Sequence, residues 1–199
     1  MCATHPGNIN LAHDHPLMAL SATIFKATLH IADMERNYYQ DHALTLARHP
    51  SETDERLMVR LLAFALNADE VLAFGAGLST DDEPVLWRKD LTGNIELWID
   101  VGLPDERRLR KACGRADKVV VYSYGGRAAQ LWWQQNESTL SRLEKLTVVD
   151  LAQPDTLAMA ALAARNMDLQ LTIQDGQIWV SNHESSIQIE PQIRHPDRG

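Results

Sequence analysis

The sequence predicts a mixed α/β domain, a central mixed sheet flanked by helices, with additional β-strands at the N- and C-terminal ends. Three features predict it. Residues 22–47 carry apolar side chains at every second position, the period of a half-buried strand. The runs KVVVYSY (118–124) and LTVVDL (146–151) are short, β-branched and almost wholly apolar, as strands covered on both faces are. Between Ser51 and Tyr124 the pattern reads helix, three strands, helix, strand, a layered arrangement rather than a bundle or a sandwich.

The elements follow in order. Two strands are expected at Ala22–Ile31 and Tyr38–Ala47, turned by DMERN. A helix follows within HPSETDERLMVRLLAFALNADE. Ser51 is its expected N-cap, with Asp54 three residues on, and Leu57, Leu61, Phe64 and Ala68 form its apolar stripe, widened by Met58 and Leu62. Glu52 has Arg56 one turn on and reads as solvated, whereas Glu55 faces Val59 and lacks that partner. Three short strands come next, VLAFGAGL, PVLWRKD and NIELWIDVG, the last two joined at DLTGN, where Gly93 can take positive φ. After Pro104 a helix runs to about Ala116, burying Leu109, Ala112, Cys113 and Ala116. Gly125 and Gly126 separate KVVVYSY from the helix RAAQLWWQQNESTLSRL. A helix from about Asp155 to Met167 follows LTVVDL. LQLTIQDGQIWVS then forms a hairpin on Asp175–Gly176, and SSIQIE adds a strand.

Residues 1–17 are polar and aperiodic and read as a disordered extension, so His13, Asp14 and His15 are taken as tail rather than metal ligands. Residues 18–191 read as a single domain and 192–199 as a frayed tail. The 199 residues are 45% hydrophobic, enough for one substantial core, and contain no run of eighteen apolar residues that would span a membrane. There is no secretory h-region, and two cysteines make no disulfide framework, so a cytoplasmic setting is expected. The net charge of -8 disfavours a broad polyanion-binding surface but leaves room for a local basic strip. A monomer is the expected state. P-loop, GxGxxG, CxxC and GxSxG patterns are absent from the sequence.

The chemistry gathers at the hairpin. In NIELWIDVG, parity places Ile95, Leu97, Ile99 and Val101 on one face and Glu96, Trp98, Asp100 and Gly102 on the other. Two registers are open. A two-residue turn sets Trp87 opposite Trp98 and Glu83 opposite Gly102. A bulge at Gly93 shifts pairing by one and brings Asp82 and Asp90 to Asp100 instead. Either way an acid of the DDE run at 81–83 approaches Asp100, with Glu55 on the first helix as a third carboxylate. Such a set suits Mg²⁺, with Mn²⁺ as its substitute. Crowded carboxylates repel, so on this reading Asp100→Asn keeps or raises stability. Trp132 and Trp133 are assigned to packing rather than base stacking.

The segments HPSETDERLMVRLLAFAL, STDDEPVLW, WIDVGLPDERRLRKA and GRAAQLWWQQN closely resemble the YaeQ family of bacterial proteins, from about Met18 to about Pro191. That resemblance implies a variant of the PD-(D/E)XK nuclease fold. Carried over residue by residue, it implies Glu83 and Asp100 as metal ligands and a lysine two residues after Asp100, where this chain has Gly102. Lys111 on the following helix is the candidate replacement, flanked by Arg108 and Arg115, with Glu55 as a supporting catalytic acid. The implied activity is Mg²⁺-dependent phosphodiester hydrolysis on nucleic acid, with Arg107, Arg108, Arg110 and Lys111 contacting phosphates. The alternative is a catalytically silent nuclease-like domain that binds a protein or nucleic acid partner.

Overall fold

The computed structural model describes residues 22–75 and 83–196. The expectations for residues 1–17, and for Asp82 as a partner of Asp100, fall outside them. Two strands open the fold, β1 (Thr23–Asp33) and β2 (Tyr38–Arg48), then helix α1 (Asp54–Asn67). Next come β3 (Ala73–Phe74), β4 (Leu86–Lys89), β5 (Ile95–Val101), α2 (Glu106–Arg115), β6 (Ala116–Ser123), α3 (Arg127–Leu140) and β7 (Leu146–Asp150). The chain ends with α4 (Gln153–Ala160), β8 (Asn166–Gln174), β9 (Gln177–Ser181), β10 (Ser186–Ile189) and β11 (Gln192–His195).

The strands form two mixed sheets. One has the order β10-β9-β8-β1-β2; the other runs β11-β7-β6-β5-β4-β3. NIELWIDVG pairs antiparallel with β4 and parallel with β6, so both neighbours expected of it are present. KVVVYSY lies between β5 and β7, and Val119, Val120, Val121 and Tyr122 are all buried.

Period-two alternation in β1 sends Phe25, Ala27, Leu29 and Ile31 inward and leaves the intervening side chains on the outer face. The inward set joins α1, α4 and one face of the second sheet in a single core. The opposite face of that sheet packs on α2 and α3 through Trp98, Leu109, Ala112, Val119, Val121, Leu140 and Val148. The layers are therefore sheet, helices, sheet, helices. Trp132 and Trp133 pack against this second cluster, and Trp132 Nε1 donates to the Pro104 carbonyl at 2.9 Å.

α1 is more enclosed than a single stripe suggests. Every residue from Leu57 to Ala65 is buried, including Arg60, because a sheet covers it on each side. Its N-cap is Thr53, whose hydroxyl accepts from Arg56 N at 3.1 Å, rather than Ser51, which pairs with His49. Its C-terminal carbonyls are capped from the β1–β2 turn. The Arg36 guanidinium donates to Ala68 O at 3.0 Å and Ala65 O at 3.1 Å, a cation at the negative helix end.

Some boundaries differ from expectation. α4 ends at Ala160, and the residues up to Met167 are split between a turn and the start of β8. The C-terminal segment read as frayed contributes β11, paired with β7 and fixed by Arg194 Nη2 on Asp150 Oδ2 at 2.8 Å. The Asp175–Gly176 hairpin is as expected, both residues taking positive φ (52° and 75°).

Candidate functional site

The β4–β5 hairpin uses both registers that the sequence left open. Trp87 pairs with Trp98 and Leu86 with Ile99. A bulge between Arg88 and Lys89 then shifts Lys89 opposite Ile95 at the turn. The shift also moves Ile95 into the cluster containing Trp98, so strict parity fails there. Asp90 caps the turn rather than approaching Asp100. It accepts from Thr92 and Asn94, and these bonds hold its carboxyl well below the usual range, at about 2.

Asp100 is the penultimate residue of β5, lies on the face covered by α2 and is 2% exposed. Its Oδ1 accepts from Arg108 Nη2 at 2.7 Å. Its Oδ2 accepts from Arg108 Nε at 2.8 Å and from the Trp98 indole at 3.0 Å. This is the two-pronged arginine–carboxylate pairing, the strongest form of ionic hydrogen bond. Arg108 is placed by the start of α2, where Asp105, the N-cap, accepts from Arg108 N at 2.7 Å and so orients the first turn. The same guanidinium donates from Nη2 to the Glu83 carbonyl at 2.8 Å. Asp100 and the Glu83 backbone thus meet on one cation.

Glu55 approaches from the helix layer, where its charge acts on Tyr124. It projects from α1, on the opposite face of the sheet, and accepts from the Thr156 hydroxyl of α4 at 2.6 Å. Lys111 is exposed, one turn beyond Arg108 on α2. The structure therefore joins Asp100 and the Glu83 backbone through Arg108, and places Glu55 on Thr156 and within electrostatic reach of Tyr124. Among the described residues, no three of His, Cys, Asp and Glu group closely enough to hold a metal ion.

Arg56 is the cation that sequence reasoning missed. Its Nη1 donates to Val101 O at 2.6 Å and lies 3.2 Å from the place a Cβ would occupy on Gly102. Gly102 has φ +104°, a conformation that side-chain-bearing residues rarely adopt. The ring of Tyr124 closes the same space, its Cε1 4.0 Å from that point, and burial pushes its phenol up. The end of β5 is bracketed by two guanidiniums, Arg108 from one face and Arg56 from the other. The signal for Arg56 was its helical position next to Glu55; only the tertiary fold shows that it reaches Gly102. Restoring the missing lysine by Gly102→Lys is expected to destabilise the protein by about 1–3 kcal/mol, from left-handed strain and displacement of Arg56. A urea melt reads this directly; a variant as stable as the parent shows that the glycine is dispensable.

Comparisons with known proteins show the family and agree with the overall fold. Residues 18–191 match the family described as YaeQ protein. The chain is 51% identical to YaeQ of Escherichia coli (strain K12) over 172 residues, 86% of this chain and 95% of that protein. Against YaeQ of Salmonella typhi the identity is 50% over 173 residues, 87% and 96% of the two chains. Among solved structures, the crystal structure of YaeQ from Xanthomonas axonopodis pv. citri superposes with a TM-score of 0.85 at 52% identity, covering 87% of this chain and 98% of that one. YaeQ from Pseudomonas syringae gives 0.84 at 33% identity, covering 89% and 98%.

Proposed function

The chain belongs to the YaeQ family, and we propose that within it this protein is a catalytically silent nuclease-like domain that binds nucleic acid. The order α1, β3–β5, α2, β6 supports reading the fold as a variant of the PD-(D/E)XK nuclease. One observation carries the silent reading: both oxygens of Asp100 are already engaged by Arg108 and Trp98. Mg²⁺ requires several oxygen ligands in near-octahedral array, and it would have to displace a buried, two-pronged guanidinium to recruit this carboxylate. The donor set at the end of β5 therefore does not fit the ion. The binding side of the proposal rests on α2, whose exposed residues include Arg107, Arg110 and Lys111, with the Arg115 guanidinium 5.5 Å over the Trp98 ring. Arg110 pairs with Glu106 one turn back along the helix. A strip of this kind contacts phosphates rather than bases, and it serves as a local basic face on an acidic protein.

A second reading has one feature in its favour: Asp100 and the Glu83 carbonyl share a guanidinium at one strand end. There Glu83 and Asp100 are the metal ligands, Lys111 the cation and Glu55 a supporting acid, with Mg²⁺ or Mn²⁺ as cofactor. The two readings separate in thermal melting across a Mg²⁺ and a Mn²⁺ titration. The silent reading expects an unmoved melting temperature; a midpoint that climbs with the logarithm of metal concentration reinstates the enzyme. Fluorescence anisotropy with labelled oligonucleotides tests the binding half. Binding should weaken steeply with salt, and Arg107→Glu with Arg110→Glu should weaken it about tenfold. Absence of binding at low salt removes nucleic acid as the partner.

A further inference from the structure

His30 stands at the middle of β1, on the outer, solvent face of the first sheet. Across the antiparallel pair it faces Asp41 of β2, and its Nδ1 lies 2.8 Å from Asp41 Oδ1. Across the parallel pair its Nε2 lies 3.2 Å from Oδ1 of Asp168 on β8. One imidazole thus spans three adjacent strands, the consecutive pair β1 and β2 and the distant β8. His30 and Asp41 line a shallow groove of about 540 Å³, together with Tyr39, Gln170 and Thr172 among others.

The chemistry of a ring held between two carboxylates has only one fully favourable state. Carboxylates accept and do not donate, so both ring nitrogens must carry hydrogen for both contacts to be hydrogen bonds. A neutral imidazole has one donor and one lone pair. Whichever nitrogen loses its proton then points a lone pair at a carboxylate oxygen. The shorter contact is to Asp41, whose hydrogen bond is also the largest influence raising the His30 pKa. Burial opposes that rise, and the charges of Asp41 and then Asp168 add to it. The Asp168 contact is the one given up. Of the groups around the ring, Asp41 faces it from β2 and Asp168 from β8, with uncharged Gln170 directly opposite in register. On β1 itself, Lys26 shares the outer face four residues back.

We propose that His30 is a proton-controlled clamp on the outer face of the first sheet, joining β2 and β8 through β1 when protonated and releasing Asp168 when neutral. Deprotonation removes one positive charge from the rim of the groove and leaves the Asp168 carboxylate to solvent or to an incoming cation. The clamp is solvent-exposed, so its effect is a change of local contact and charge rather than of global fold. The direction of linkage follows from the raised pKa. The stabilising contribution is fully present below the ordinary histidine value and is lost as pH rises through the folded value.

Long-range ¹H–¹⁵N spectra of the imidazole across a pH titration test this, with His30→Gln supplying the assignment. His42, which burial pushes down, provides an internal contrast. His30 is expected to titrate above a free histidine, and its neutral form to keep the proton on Nδ1. Asp41→Asn should abolish the elevation, and Asp168→Asn should reduce it in part. All these positions are surface side chains, so the variants retain the fold. A midpoint at or below that of free histidine, a neutral ring protonated on Nε2, or an Asp168→Asn titration identical to the parent each overturns the clamp.

Discussion

Arg60→Met is expected to destabilise the protein by about 3–5 kcal/mol, the penalty for stranding one member of a buried ion pair. Arg60 lies midway along α1, enclosed between the two sheets, with its side chain 9% exposed, and Glu52 is more deeply covered still at 1%. Arg60 Nη1 donates to both Glu52 oxygens at 2.9 Å, and its guanidinium also lies 5.4 Å over the Phe74 ring. Arg56, the other nearby cation, reaches Glu52 only at ion-pair distance, and among the described residues its Nε donates no hydrogen bond. Arg56 Nε stays 3.8 Å from Glu52, while its Nη1 is held on the Val101 carbonyl. A carboxylate left in this layer keeps its desolvation cost without its hydrogen bonds. The double variant Glu52→Leu, Arg60→Met should recover most of the loss, since apolar groups of similar volume often replace a buried pair without net cost. Urea melts of the parent, both single variants and the double variant measure the cycle. A loss below about 1 kcal/mol for Arg60→Met would show that the pair is hydrated and weak, as exposed pairs are.

That pair also shows where the sequence was legible and where it was not. The strand runs, the hairpin at Asp175–Gly176 and the order of elements from α1 to β6 follow from local periodicity and turn chemistry, and the structure has them. Glu52 did not follow from such rules. Placing the helix start at Ser51 put Glu52 in a first turn, solvated beside Arg56. The cap is Thr53, so Glu52 lies ahead of the helix and folds back onto Arg60. A two-residue error in a cap changed a surface acid into a core acid. β11 was missed for a related reason. A four-residue edge strand has no period to read, and what fixes it is a long-range ion pair from Arg194 to Asp150.

The same logic governs the candidate site. Sequence parity correctly carried Asp100 toward one end of β5 and the chain near Glu83 toward it. It had no access to which cation would arrive first. Arg108 was read as one phosphate-facing residue among several. Its position in the first turn of α2 instead lets the side chain reach back across the strand end. Gly102 was read as a lost lysine. The structure gives it a positive φ and sets Arg56 against it, so glycine is what the backbone and the neighbouring guanidinium require there.

Asp100→Asn is therefore expected to destabilise the protein by about 2–3 kcal/mol, opposite in sign to what crowded, repelling carboxylates would give. The amide keeps one oxygen acceptor but replaces the other with an NH₂ group. That group must face either the Trp98 N–H and Arg108 Nε or Arg108 Nη2, all of them donors. Arg108, 22% exposed, then holds a charge with no counter-charge from Asp100. Arg108→Ala should cost a similar amount by leaving Asp100 buried and unpaired, and the double variant should fall well short of the sum. Arg108→Lys should not rescue, because a single ammonium cannot supply the two-pronged geometry. Chemical denaturation of the parent and these four variants in chelator measures the coupling and the failed rescue. If Asp100→Asn is neutral or stabilising there, the carboxylate is under repulsion rather than held by Arg108, and the metal-dependent reading of this strand end regains its physical basis.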